Sequence, residues 1–157
     1  MKSINVEEII KERDKRITGL KEELEEINKN KTELFGETVE NVKPYIEYIK
    51  RKGYYFRHPS INCISSVGPI IGVDEKKDVW LVFNPENNVV NEIEMYNPEG
   101  KKTIPVWHFI EKYDFEAAME GLLYCKELQE IIINDFQEMI ISSKKLIEKY
   151  KKRVQGT

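Results

Sequence analysis

Soft metal ligands are scarce in this 157-residue chain, which has two cysteines and two histidines. Cys63 and Cys125 make no disulfide framework. Structural zinc sites present their ligands in close pairs, and of His58, Cys63, His108 and Cys125 only the first two lie near each other in sequence. No metal and no cofactor is therefore expected. Cys125, set among Leu122, Leu123 and Leu128, reads as a small buried hydrophobe rather than a nucleophile. Long apolar runs are also missing. None approaches the ~18 residues a membrane span requires, and residues 1–8 lack the apolar core of a secretory leader. The expectation is a cytoplasmic protein with no membrane partner. Phosphate-cradling glycine loops, the G-x-S-x-G elbow and H-E-x-x-H are absent. An enzyme is accordingly the least favoured reading.

An excess of charge of one sign is lacking as well. Lys and Arg number 25 against 28 Asp and Glu, a formal charge of −3. Such a balance provides no polyanion-attracting field over the whole chain. One local exception is the segment 144–153, with Lys144, Lys145, Lys149, Lys151, Lys152 and Arg153. Cations there suit the negative end of a helix dipole, so nucleic-acid binding is disfavoured though not removed from consideration.

What the chain does have is charge in abundance, 34% of residues, beside 40% hydrophobic. That composition supports a core and favours long solvated helices. One domain is expected over 1–157, with a helical arm at 1–53, a β-meander at 54–105 and a C-terminal helical region at 106–157. The fold class is α+β, with a small antiparallel meander flanked by long helices that pack as a hairpin or as a dimeric coiled coil.

The first helix starts at Asn5, whose side chain can cap it, with Glu7 and Glu8 in the first turn. Val6, Ile10, Ile17, Leu20, Leu24, Ile27 and Leu34 then occupy alternating d and a positions of a heptad, with Arg13 and Lys31 filling the remaining two. Charged residues beside them keep the stripe narrow, as in a coiled-coil seam. Gly36 is expected to end or bend this helix, and a second helix to run from Val39 to Lys52, with Gly53 closing it.

Strands are expected at 54–57, 67–73, 78–83, 90–96 and 101–104. Asn84-Pro85 and Asn97-Pro98-Glu99-Gly100 read as type I turns. Val79, Leu81 and Phe83 alternate with Trp80 and Val82, so that strand should be covered on both faces. Glu92, Glu94 and Tyr96 share one face of the next strand, which places it at or near an edge.

From Asp114, a fitting N-cap, a helical pattern runs to about Val154, with Gly121 the expected interruption. Ile132, Phe136, Met139, Leu146 and Tyr150 form one stripe, and Ile133, Ile140, Ile147 and Val154 another. Together they make a broad apolar face that needs a partner.

Two functional readings follow. The first is a non-catalytic protein–protein interaction module, inhibitor- or adaptor-like and expected to be homodimeric, using Ile10, Ile17, Leu20, Leu24, Ile27, Ile132, Phe136, Met139, Ile140 and Leu146. The second is a small-ligand protein of nucleotide type. In it Tyr54, Tyr55, Arg57 and His58, joined by Trp107 and His108, would stack on a base and hold a phosphate.

Overall fold

The computed structural model describes residues 5–156, apart from the side chains of Pro98 and Lys101. Residues 1–4, on which much of the leader expectation rests, lie outside that range.

Helix α1 (Val6–Lys52) is a single element of 47 residues. Asn5 Oδ1 accepts from the N–H groups of Glu7 and Glu8. At the other end Gly53 adopts the left-handed φ of 73° that closes a helix, and its N–H reaches the Ile49 and Lys50 carbonyls. Neither Gly36 nor Pro44 interrupts it, contrary to the two helices expected. The reason is tertiary. Phe35, Val42, Ile46 and Ile49 are buried along this half of α1, and each full burial contributes about 1.5–3 kcal/mol. That outweighs the ~1 kcal/mol a helical glycine costs. Pro44 lies on the exposed side, where water can satisfy the carbonyl its missing N–H leaves unpaired.

A two-residue ribbon follows, β1 (Phe56–Arg57) with β2 (Ile64–Ser65), the second too short to register in the sequence. The main sheet is an antiparallel meander in the order β3-β4-β5-β6: Ile70–Asp74, Val79–Asn84, Val89–Glu94 and Asn97–Pro105. As the alternation requires, β4 is interior and covered on both sides. Val79, Leu81 and Phe83 join Phe35, Phe109, Ile110, Ala118 and Leu122 in one cluster. Val82 joins Ile70 and Cys63 in another, with Trp80 packed against it. Phe35 meets Phe83 edge-on at 5.4 Å, anchoring α1 to the sheet.

β5 lies one strand in from the edge, with β6 paired along its length, but its polar face is covered rather than open: Glu92 is buried at 8% exposure. The turn also moves. Met95 and Tyr96 form it, while Asn97 pairs with Glu94 and Lys101 with Ile93. The three residues between, Pro98 among them, fall in a register shift where proline's missing N–H costs no ladder bond.

Strand β6 leads directly into α2 (Val106–Lys112), then α3 (Phe115–Tyr124) and α4 (Leu128–Gln155). Asp114 caps α3 through the Glu116 N–H. The helical break falls at Cys125–Glu127, where three tight backbone bonds form, and not at Gly121. Gly121 instead serves close packing: a Cβ there would lie 1.9 Å from the Ile70 carbonyl oxygen. α3 can therefore lie directly on β3.

The terminal helices do not form a hairpin within the chain. They meet at their bases, where Leu128, Ile131 and Ile132 of α4 join Val42, Ile46 and Ile49 of α1. Outward of Phe35 on α1 and of Ile132 on α4, their apolar stripes are exposed. The geometry of the body explains this. α1 enters the body at Phe35, whereas α4 is rooted near the far end of α1, about 20 Å away at 1.5 Å per residue.

Candidate interaction surface

Two helical arms therefore leave the body with uncovered apolar faces. The α1 arm, Val6 to Leu34, is about 43 Å long at 1.5 Å per residue. Its seam residues Ile17, Leu20 and Leu24 are 50%, 60% and 56% exposed, and Val6, Ile10, Ile27 and Leu34 are likewise open. The first buried side chain on α1 is Phe35. The α4 arm carries Ile133, Phe136, Met139, Ile140, Leu146, Ile147 and Tyr150 exposed, while Ile132 at its root is half-buried. Its face is the wider one. Towards its end, Lys149 and Arg153 lie over the Tyr150 ring at 5.6 and 5.7 Å. All the interface residues expected from the sequence thus lie on one or other arm.

The aromatic and basic cluster is divided by the fold. Tyr54 packs on Tyr48 at 6.3 Å within the α1–α4 cluster. Tyr55 is exposed. Arg57 Nη1 lies 3.0 Å from Asp135 Oδ2 of α4, with both side chains nearly half exposed. His58 turns inward and is 7% exposed. Its Nδ1 accepts from the N–H groups of Ser60 and Ile61, which leaves Nε2 to carry the proton donated to the Ala117 carbonyl at 2.8 Å. Both ring nitrogens are thereby engaged in tying the 58–61 loop to α3. Tyr55 and Arg57 share a cleft of about 250 Å³ with Ile132, Phe136 and Met139. Trp107 and His108 do not line it; they sit edge-to-face on α2 at 5.5 Å.

A larger groove of about 580 Å³ runs between α1 and the β4–β5 turn, floored by Phe83 and rimmed by Lys43, Glu47 and Lys50. Lys50 is already bridged to Glu86 at 3.0 Å.

One polar cluster escaped the sequence reading. Tyr113 Oη donates to Asp74 Oδ2 at 2.9 Å. Lys77 lies 3.6 Å from Glu92. The Tyr113 hydrogen bond holds the Asp74 carboxyl below its ordinary range, against a smaller opposing effect of burial. Burial first, and Asp74 second, push the Tyr113 hydroxyl well above its ordinary value. The cluster ties the α2–α3 link to the β3–β4 turn. Its only sequence signal is an Asp at a turn start and a Tyr before a helix cap, neither of which names its partner.

Burial raises the Cys63 thiol to about 11 and the Cys125 thiol to about 12, so neither is a thiolate at neutral pH. Among the described residues, no three His, Cys, Asp or Glu side chains stand close enough together to hold a metal ion. Among them, too, no helix is long and apolar enough to cross a membrane.

The architecture is thus an α+β body with two helical arms whose apolar faces are exposed. No family model, no curated protein and no solved structure matches the chain.

Proposed function

We propose that this chain is a non-catalytic protein–protein interaction module, adaptor- or inhibitor-like, that works through its helical arms and self-associates through α1. The observation that carries the reading is the α1 arm itself: a heptad-spaced apolar seam, exposed along its whole length, on a helix whose other half is firmly anchored. Isolated helices gain little from propensity alone, and an arm of this kind is stabilised chiefly by burying its stripe. A cytoplasmic setting is part of the proposal, and two free thiols suit a reducing compartment. The test is light scattering of the full chain beside a Leu20→Lys/Leu24→Lys variant. Self-association that disappears in the variant supports the reading; a monomeric parent chain contradicts it.

A nucleotide-type ligand at Tyr55 and Arg57 is the weaker alternative. The cleft there is smaller than the ~300 Å³ at which ligand pockets usually begin. An incoming phosphate would also have to displace Asp135 from Arg57. Asp135→Asn should expose that guanidinium. A nucleotide-dependent thermal shift that strengthens in the variant would favour this alternative.

A further inference from the structure

We propose that the occupant of the α1 seam is the same arm of a second copy, lying antiparallel and in one particular register. The proposal rests on the interaction reading and adds the partner, the orientation and the alignment.

Parallel, in-register pairing is disfavoured by charge. It would set Arg13 against Arg13 and Lys31 against Lys31 across the seam. It would also place Arg16, at a g position, beside Lys21 at an e position of the second helix, on both sides of the pair. Like charges at these positions destabilise and select against a pairing.

Antiparallel pairing mixes a with d layers and brings g beside g and e beside e. In one alignment Ile17 packs with Leu20 of the second copy, and Ile10 with Ile27. Arg13 then faces Leu24, over which its aliphatic stem can lie while the guanidinium reaches the rim. On the flanks Arg16 meets Glu23 and Asp14 meets Lys21, each twice by symmetry. No like charges meet at the flanking positions. Shifting the helices by one heptad in one direction brings Asp14 onto Asp14 and Arg16 onto Arg16. Shifting in the other brings Lys21 onto Lys21, Glu23 onto Glu23 and Arg13 onto Lys31. The charge pattern therefore selects this register over its neighbours one heptad away on either side.

The body fits the same alignment. The overlap runs from Val6 to Lys31 and stops just short of Phe35, where α1 enters its core. Lys31, in the end layer opposite Val6, has its ammonium 5.6 Å over the Phe115 ring of its own chain. Its charge is thus drawn towards the body. Gly19 falls at the centre of the overlap on the outer surface, with open space for 4 Å around the point where a Cβ would lie, so it leaves the seam intact.

Two measurements on the full chain test this. Ile10→Cys and Ile27→Cys chains are oxidised separately and mixed, with buried Cys63 and Cys125 left in place. Interchain disulfides should form in the mixture and not in either chain alone, because like positions lie ~25 Å apart when antiparallel. Disulfides within each chain alone would overturn the antiparallel arrangement while leaving self-association standing. The second measurement is the dimer dissociation constant of Arg16→Glu. It should rise roughly 10- to 30-fold, as two opposite-charge pairs become repulsive, and return to within about threefold of the parent value in Arg16→Glu/Glu23→Arg. Tightening by Arg16→Glu would point to parallel pairing, since it would relieve the clash with Lys21. A dimer indifferent to Leu20→Lys/Leu24→Lys would overturn the use of this arm altogether.

Discussion

Replacing Gly121 by alanine should destabilise the protein even though it sits inside a helix. The added Cβ would lie 1.9 Å from the Ile70 carbonyl oxygen and 3.0 Å from His58 Cδ2. Ordinary contact needs about 3.4 Å, and the nearer atom is backbone, so no rotamer change relieves the clash. α3 must move off β3 by more than an ångström. That movement also stretches the 2.8 Å bond from His58 to Ala117, in a region where leaving a buried polar group unpaired costs about 1–3 kcal/mol. Overpacking adds about 1–3 kcal/mol, and alanine's better helix propensity returns ~1 kcal/mol. The net expectation is about 3 kcal/mol of destabilisation, or roughly 6–12 °C in Tm for a chain of this size. Gly36→Ala is the internal control. It is in the same class of site by sequence, yet nothing lies within 4 Å of its Cβ position. It should stabilise by up to ~1 kcal/mol. Denaturant unfolding of both variants reads the contrast. If Gly121→Ala were neutral or stabilising, the close approach of α3 to β3 would be wrong.

Three other outcomes follow. Tyr113→Phe should cost about 1 kcal/mol by removing the bond to Asp74. Because the Asp74 carboxyl is held below its ordinary value of 3.8, the linked stability is present above that value and is lost as pH falls through the lower folded value. The difference between parent and variant in acid titrations of stability should therefore shrink below about pH 4. Cys63 and Cys125, with thiols raised to about 11 and 12, should resist a disulfide-exchange reagent at pH 8 in the folded protein and react fully in denaturant; rapid native reaction would contradict their burial. Arg57→Ala should change stability by less than ~1 kcal/mol, since its partner Asp135 is also nearly half exposed, and a larger loss in thermal melts would mean the pair bears more of the α4 root than its exposure allows.

Local signals were legible where chemistry is local. Asn5, Gly53 and Asp114 marked helix ends because capping depends on one side chain and adjacent backbone. The alternation in β4 revealed burial on both faces because each face has its own cluster to join. Misreadings arose where a distant contact overrides a local preference. Gly36 and Pro44 stay helical because Phe35, Val42 and Ile46 are clamped by elements far along the chain. Gly121 looked like a helix breaker and is a contact point, a distinction that depends on β3. Glu92 and Glu94 placed β5 at or near an edge, and it is the strand beside the edge; the burial of Glu92 was not readable, because Lys77, which bridges to it, comes from another turn. The interface residues were readable on each arm, since heptad spacing is a property of one helix. The split of Tyr54–His58 into inward and outward halves was not, because Ala117 and Asp135 decide it.

The decisive measurement is the solution mass of the full chain at tens of micromolar protein, by light scattering, beside the Leu20→Lys/Leu24→Lys variant. The α1 seam as interaction surface requires twice the mass of one chain for the parent and a single-chain mass for the variant, with the thermal transition of the α+β body preserved in both. A monomeric parent, or a variant that remains a dimer, would contradict it.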